Sequence, residues 1–175
     1  MFPVGFSGVI ARLMEYNLVE MWLRKDPIRW IAGALAGVLA GGVAAGVAMI
    51  IAKLAGFEGS FPIKLIGTII LGAQATEIGN ANGFLVGGLL IVGLGLFLGV
   101  IFSHFCGVNS LKALIPLGLV WGTFSWIFIW NLFLQSFNTI FAARIPSGPV
   151  FAICIAFGLA LVSVSSFDQL LRNKT

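Results

Sequence analysis

Four long apolar segments without Asp, Glu, Lys or Arg constrain this chain more than any other feature. They lie at about residues 31–52, 84–107, 113–135 and 149–167. A helix needs roughly 20 apolar residues to cross about 30 Å of hydrocarbon. Since 59% of the 175 residues are apolar and the mean hydropathy is +1.08, the sequence predicts an all-α integral membrane protein. Its four transmembrane helices are expected to form an antiparallel bundle.

Two further helices are predicted outside the four spans. Residues 1–28 carry apolar side chains at helical spacing from Phe6 to Trp22, which predicts an N-terminal cytoplasmic amphipathic helix on the membrane surface or on the bundle itself. Residues 29–175 are then the transmembrane domain. Between the first two spans, residues 62–73 are apolar but only about half as long as a span requires, so a short interfacial or re-entrant helix is expected there.

The positions of Lys and Arg predict the orientation. Seven lie before the first span, between the second and third or after the fourth: Arg12, Arg24, Lys25, Arg29, Lys112, Arg172 and Lys174. Three lie on the other side: Lys53, Lys64 and Arg144. Because cytoplasmic loops carry the excess of basic residues, both termini are predicted to be cytoplasmic, with the chain in the inner (plasma) membrane.

The net charge of +4 is thus explained by topology. No basic stripe with interleaved aromatic residues indicates a nucleic-acid partner. The expected partners are the lipid bilayer and other membrane subunits or copies of this chain.

Glycine and alanine make up 13 of the 22 residues from 31 to 52. Glycines spaced by four residues lie on one stripe of a helix, and small residues let helix backbones approach closely in lipid, where no hydrophobic force brings helices together. The sequence therefore predicts helix-packing or partner-interface faces. They comprise Gly33, Gly37, Gly41, Gly42, Gly46, Gly95, Gly99, Ser103, Gly118 and Gly122. The alternative is tight packing within a single bundle.

Few residues suggest chemistry. Glu77 and Asn80 belong to a polar cluster before the second span, and His104, the single histidine, lies near the end of that span; these three are weak candidates for a polar site. Asp168 and Arg172 have the spacing of a surface ion pair at a helix end. No catalytic set, metal site or cofactor site is predicted.

The composition favours a non-catalytic structural or accessory subunit of a larger inner-membrane complex, of respiratory, photosynthetic or secretion type, that docks through small-residue helix faces. The alternative is a small oligomeric transporter or channel for a polar solute or ion. The sequence shows no internal repeat of the kind common in transporters.

Overall fold

The structure, a computed structural model, describes residues 26–129 and 147–173. The described residues are helical and contain no strand. Most of the predicted N-terminal amphipathic helix and the last residues of the predicted third span lie outside the described residues.

Within the described residues, four helices are long and apolar enough to cross a membrane, which agrees with the four predicted spans and indicates a multi-pass membrane protein. They are Pro27–Leu54, Ala81–Phe105, Leu111–Ile129 and Ser147–Arg172. The helical segments are α1 (Pro27–Leu54), α2 (Phe61–Leu71), α3 (Ala81–Phe105), α4 (Leu111–Trp126), α5 (Ser147–Ala160) and α6 (Val164–Arg172). A 3₁₀ turn at Leu161–Ser163 separates α5 from α6, and another at Gly72–Thr76 follows α2.

Local sequence explains where these helices begin. Asp26 caps α1 by accepting a hydrogen bond from the Arg29 backbone N–H (3.2 Å), and Pro27 opens the first turn, where its missing N–H costs little. Asn80 caps α3 in the same way through the Gly83 N–H (3.1 Å). Pro116 lies inside α4, which begins at Leu111.

The central element is α1, which is covered on two adjacent faces. Its glycine face packs on α3. Its neighbouring alanine face belongs to one buried cluster with three α5–α6 side chains, Phe157, Leu161 and Val164. Small side chains on both faces are what allow two helices to lie this close to α1; the buried alanines are Ala32, Ala36, Ala40, Ala44, Ala48 and Ala52.

The other helices flank this centre. Helix α4 packs on α5, and α2 packs on α3. Leu65 of α2 is fully buried and clusters with Val150 and Cys154 of α5. Near the other end of the bundle, Phe102 of α3 meets Trp121 of α4 edge-on, with ring centroids 5.7 Å apart.

Candidate functional site

The glycine face of α1 is in direct backbone contact with α3. The contacts pair Gly33 with Gly99 and Ser103, Gly37 with Gly95 and Gly99, and Gly41 with Ile91 and Gly95. A Cβ added to Gly95 would lie 2.5 Å from the Gly37 carbonyl oxygen, closer than two such atoms approach. Gly33, Gly37 and Gly41, called the contact glycines below, therefore form a face that is covered within the chain.

The second glycine stripe of α1 has the opposite environment. A Cβ added to Gly42 or Gly46 would meet no atom within 4 Å among the described residues. The same is true of Gly88 and Gly93 on α3. These four are called the open glycines below.

Helices α4 and α5 make the second glycine contact. Gly118 faces the carbonyl oxygen of Gly158, 2.5 Å from where its Cβ would be, and Gly122 faces that of Cys154 at 2.6 Å. Both glycines that were predicted on α4 thus lie at its contact with α5.

Arg29 is buried and binds the C-terminal end of α3. Its Nε donates to the Ser103 carbonyl oxygen (3.1 Å), and its Nη2 donates to those of Cys106 and Val108 (the latter at 3.0 Å). The last carbonyls of a helix have no partner within the helix, so this guanidinium satisfies groups that would otherwise be costly to bury. Although Arg29 was counted among the cytoplasmic basic residues, its side chain is a tertiary contact.

Asp168 corrects a prediction. The expected surface ion pair with Arg172 exists (3.1 Å), but Asp168 is fully buried, because α6 packs against α1 and brings it near Arg29 (3.6 Å). Asn109 joins the two, accepting from Arg29 Nη1 and donating to Asp168 Oδ2 (3.1 Å). Arg172 also pairs with Asp26 (2.5 Å).

These five residues, Asp26, Arg29, Asn109, Asp168 and Arg172, are called the Arg29 cluster. It contains two positive and two negative side chains, so it can be buried without net charge. The Asp168 Oδ1 atom is buried and has no hydrogen-bond partner among the described residues. The cluster joins the start of α1, the end of α3 and the end of α6.

His104 lies beside this cluster on α3. Its Nδ1 accepts a hydrogen bond from the Trp30 indole N–H (3.3 Å), so the neutral imidazole carries its proton on Nε2.

Burial raises the pKa of the neighbouring Cys106 thiol to about 11, which keeps it protonated at neutral pH. Among the described residues, no three His, Cys, Asp or Glu side chains form a group that could hold a metal ion.

The other predicted polar residues serve the turns around α2. Asn80 donates to the Gln74 carbonyl oxygen (2.8 Å) in addition to capping α3. Glu77 is exposed, and its carbonyl oxygen accepts from the buried Lys64 (3.4 Å). Lys64 also binds the Glu58 carboxylate (3.0 Å). Glu77 and Asn80 thus lie on the side of the bundle where α2 ends and α3 begins, whereas His104 lies at the far end of α3.

Hydrogen bonds from Ser60 and Lys64 lower the pKa of the Glu58 carboxyl. The stabilisation from this contact is therefore present above the usual carboxylate pKa and is lost as the pH falls through the lowered value.

No family model, no curated protein and no solved structure matches this chain. The functional interpretation therefore depends on the residues themselves. Sequence reasoning missed the Arg29 cluster, since its members are separated by up to 146 residues and each looks like an ordinary helix-end residue.

Proposed function

We propose that the chain is a non-catalytic structural subunit of an inner-membrane assembly, docking to other subunits or other copies through the open glycines. One observation carries this proposal: Gly42 and Gly46 lie open on the helix whose contact glycines are fully used. Glycine is among the weakest helix formers, and an open glycine makes no packing contact with the described residues of other helices. In lipid, however, it allows close approach of another helix.

The surroundings of the open glycines fit such a contact. Val38, Leu39 and Val43 flank them on α1 and are exposed. A partner helix seated on the glycines would cover these side chains and gain dispersion contacts that lipid chains make less closely.

The proposed topology is an antiparallel bundle with both termini in the cytoplasm. The seven-to-three distribution of basic residues supports it under the positive-inside rule. Contacts of Arg29 with Ser103 and Asp168 place the start of α1 beside the ends of α3 and α6, which this topology requires. A reporter fused after Thr175 should be active in its cytoplasmic form, and activity only outside the cytoplasm would contradict the orientation.

The docking proposal is tested by extraction in mild detergent at native expression, followed by native gels and mass spectrometry of the co-migrating proteins. The wild type should migrate above the monomer mass. Gly46→Leu, which adds a branched side chain at the open stripe, should lose the high-mass band and keep the stability of the chain. Gly148→Leu is the control, because it adds the same side chain at an open glycine of α5 outside this stripe, and it should keep that band.

Migration of the wild type as a monomer with no stable partner would overturn the proposal. So would a high-mass band that Gly46→Leu and Gly42→Leu both leave unchanged.

A second candidate function is a small oligomeric transporter or channel for a polar solute or ion. The observation in its favour is Asp168, a fully buried carboxylate whose Oδ1 has no hydrogen-bond partner in the part of the chain that the structure describes. Ionisable groups at membrane depth often mark ion or proton pathways. Purified protein in liposomes under a proton or cation gradient should then show a flux that Asp168→Asn abolishes. Equal leak with and without the protein would contradict it.

A further inference from the structure

The α1–α3 and α4–α5 glycine contacts are equivalent, position by position. In the first pair, Gly33 faces Gly99 and Ser103, and Gly37 faces Gly95. In the second, Gly118 faces Gly158 and Val162, and Gly122 faces Cys154. Adding 85 to a residue number in α1 gives the equivalent position in α4. Adding 59 to a residue number in α3 gives the equivalent position in α5 or α6.

Burial agrees at several further positions under the same two offsets. The buried residues of α4 are Leu114, Gly118, Gly122 and Ser125. Under the offset of 85 they correspond to four buried residues of α1: Arg29, Gly33, Gly37 and Ala40. In the second helices, Phe102 corresponds to Leu161, both fully buried, and Cys106 corresponds to Ser165, both buried. These positions lie on the same helix faces as the paired glycines, so both hairpins pack through the same register.

We infer that the chain is built from two structural repeats and that the Arg29 cluster holds them together at one end. Hairpin one is α1 with α3, and hairpin two is α4 with α5 and α6. The sequence hides the repeat, because the aligned positions share three glycines and little else. The segment between the paired glycines is also longer in hairpin one, which contains α2.

Both hairpins begin and end at the same end of the bundle. Arg29 at the start of α1 meets Ser103 near the end of α3, while Leu114 of α4 shares a buried cluster with Phe102. Asn109 and Asp168 occupy equivalent positions under the offset of 59, and they bind each other (3.1 Å).

Contacts within and between the hairpins differ in kind. Within each hairpin, glycine backbones touch directly, which leaves little room for adjustment. Between them, α1 meets α5 and α6 through side chains and through the ion pairs Arg29–Asp168 and Asp26–Arg172. Loss of these ion pairs should therefore separate the hairpins at this end and leave each hairpin intact.

The test uses spin-label distances in the full-length protein, in a background with Cys106→Ser and Cys154→Ala. Labels replace three exposed residues near the Arg29 cluster and one on α6: Ile31, Phe105, Ile115 and Leu170. The pair Ile31–Ile115 spans the two hairpins. The pairs Ile31–Phe105 and Ile115–Leu170 each report on one hairpin.

In Asp168→Asn, the Ile31–Ile115 distance distribution should broaden and lengthen, and the other two should stay as in the wild type. Arg172→Gln removes only the partly exposed partner of Asp168, so it should change the same distance by a smaller amount. It replaces Asp168→Asn in the test if that variant does not accumulate. Glu58→Gln is the control at the opposite end and should change none of the three distances.

Two results would overturn the inference. If the within-hairpin distances change as much as Ile31–Ile115, the hairpins are not units. If Ile31–Ile115 stays unchanged in folded Asp168→Asn and Arg172→Gln, the Arg29 cluster does not hold them together.

Discussion

The contact glycines and the open glycines of α1 have the same residue type and the same spacing but opposite surroundings. Gly33, Gly37 and Gly41 lie against the backbone or side chains of α3, whereas Gly42 and Gly46 meet no described atom within 4 Å. The two stripes follow one another along one helix and lie on different faces of it. What differs is which stripe another helix of the chain occupies.

This difference shows that a glycine repeat provides a surface on which a helix can pack closely, but does not determine which helix packs there. The contact stripe joins α1 to α3, whereas the open stripe contacts no other helix among the described residues. The effect of a substitution should therefore depend on the stripe, and on the distance to the nearest backbone atom, more than on the size of the change.

The largest effect is expected for Gly99→Leu on α3. An added Cβ there would overlap the Gly33 carbonyl oxygen and approach the Gly37 Cα atom at 2.7 Å. The two backbones must separate, which should lower the free energy of unfolding by about 3 kcal/mol or more, as measured by SDS titration in mild detergent.

Gly93→Leu on the same helix is the matched control, since no described atom lies within 4 Å of its added Cβ. It should insert and unfold like the wild type. Equal destabilisation by both variants would remove the distinction between contact and open glycines.

A smaller loss is expected for Gly122→Ala in the second hairpin. The new methyl group would lie 2.6 Å from the Cys154 carbonyl oxygen, a backbone atom that moves only with α5. We expect a loss of about 1–2 kcal/mol in the free energy of unfolding. Gly148→Ala, an open position on α5, should cost nothing; a harmless Gly122→Ala would mean that the α4–α5 contact is loose.

The smallest loss is expected for Gly41→Ala. Its nearest neighbours are the Ile91 Cγ2 atom and carbonyl oxygen, both at 3.2 Å. A shift of a few tenths of an ångström relieves this contact, so the cost should stay below about 1 kcal/mol. A loss as large as that of Gly122→Ala would show that this end of the α1–α3 contact is as close as the middle.

Much of the fold was predictable from the sequence. The four spans follow from apolar length alone, and Gly33, Gly37, Gly95 and Gly99 do lie at a helix contact. Which stripe of α1 contacts another helix of the chain was not predictable, because Gly42 and Gly46 have the same spacing as the contact glycines. Only the arrangement of α3, α5 and α6 around α1 distinguishes the two stripes.

The Arg29 cluster was not predictable for a related reason. Arg29 precedes a span, Asn109 lies in a short connection and Asp168 follows the apolar part of the last helix. Each position is typical of a solvated helix end. Their contact depends on the relative depth of three helices, which hydropathy gives only to within several residues.

The most direct test compares Gly37→Ala with Gly42→Ala, which add the same methyl group one and a half turns apart on one helix. The free energy of unfolding of both variants would be measured by SDS titration of the purified chain in one detergent. At Gly37 the methyl group overlaps the Gly95 carbonyl group, so a loss of about 1–3 kcal/mol is predicted. At Gly42 it meets no described atom, so stability should be unchanged or slightly higher, because alanine favours the helix by up to about 1 kcal/mol. Equal losses at the two positions, or a loss at Gly42 alone, would contradict the account.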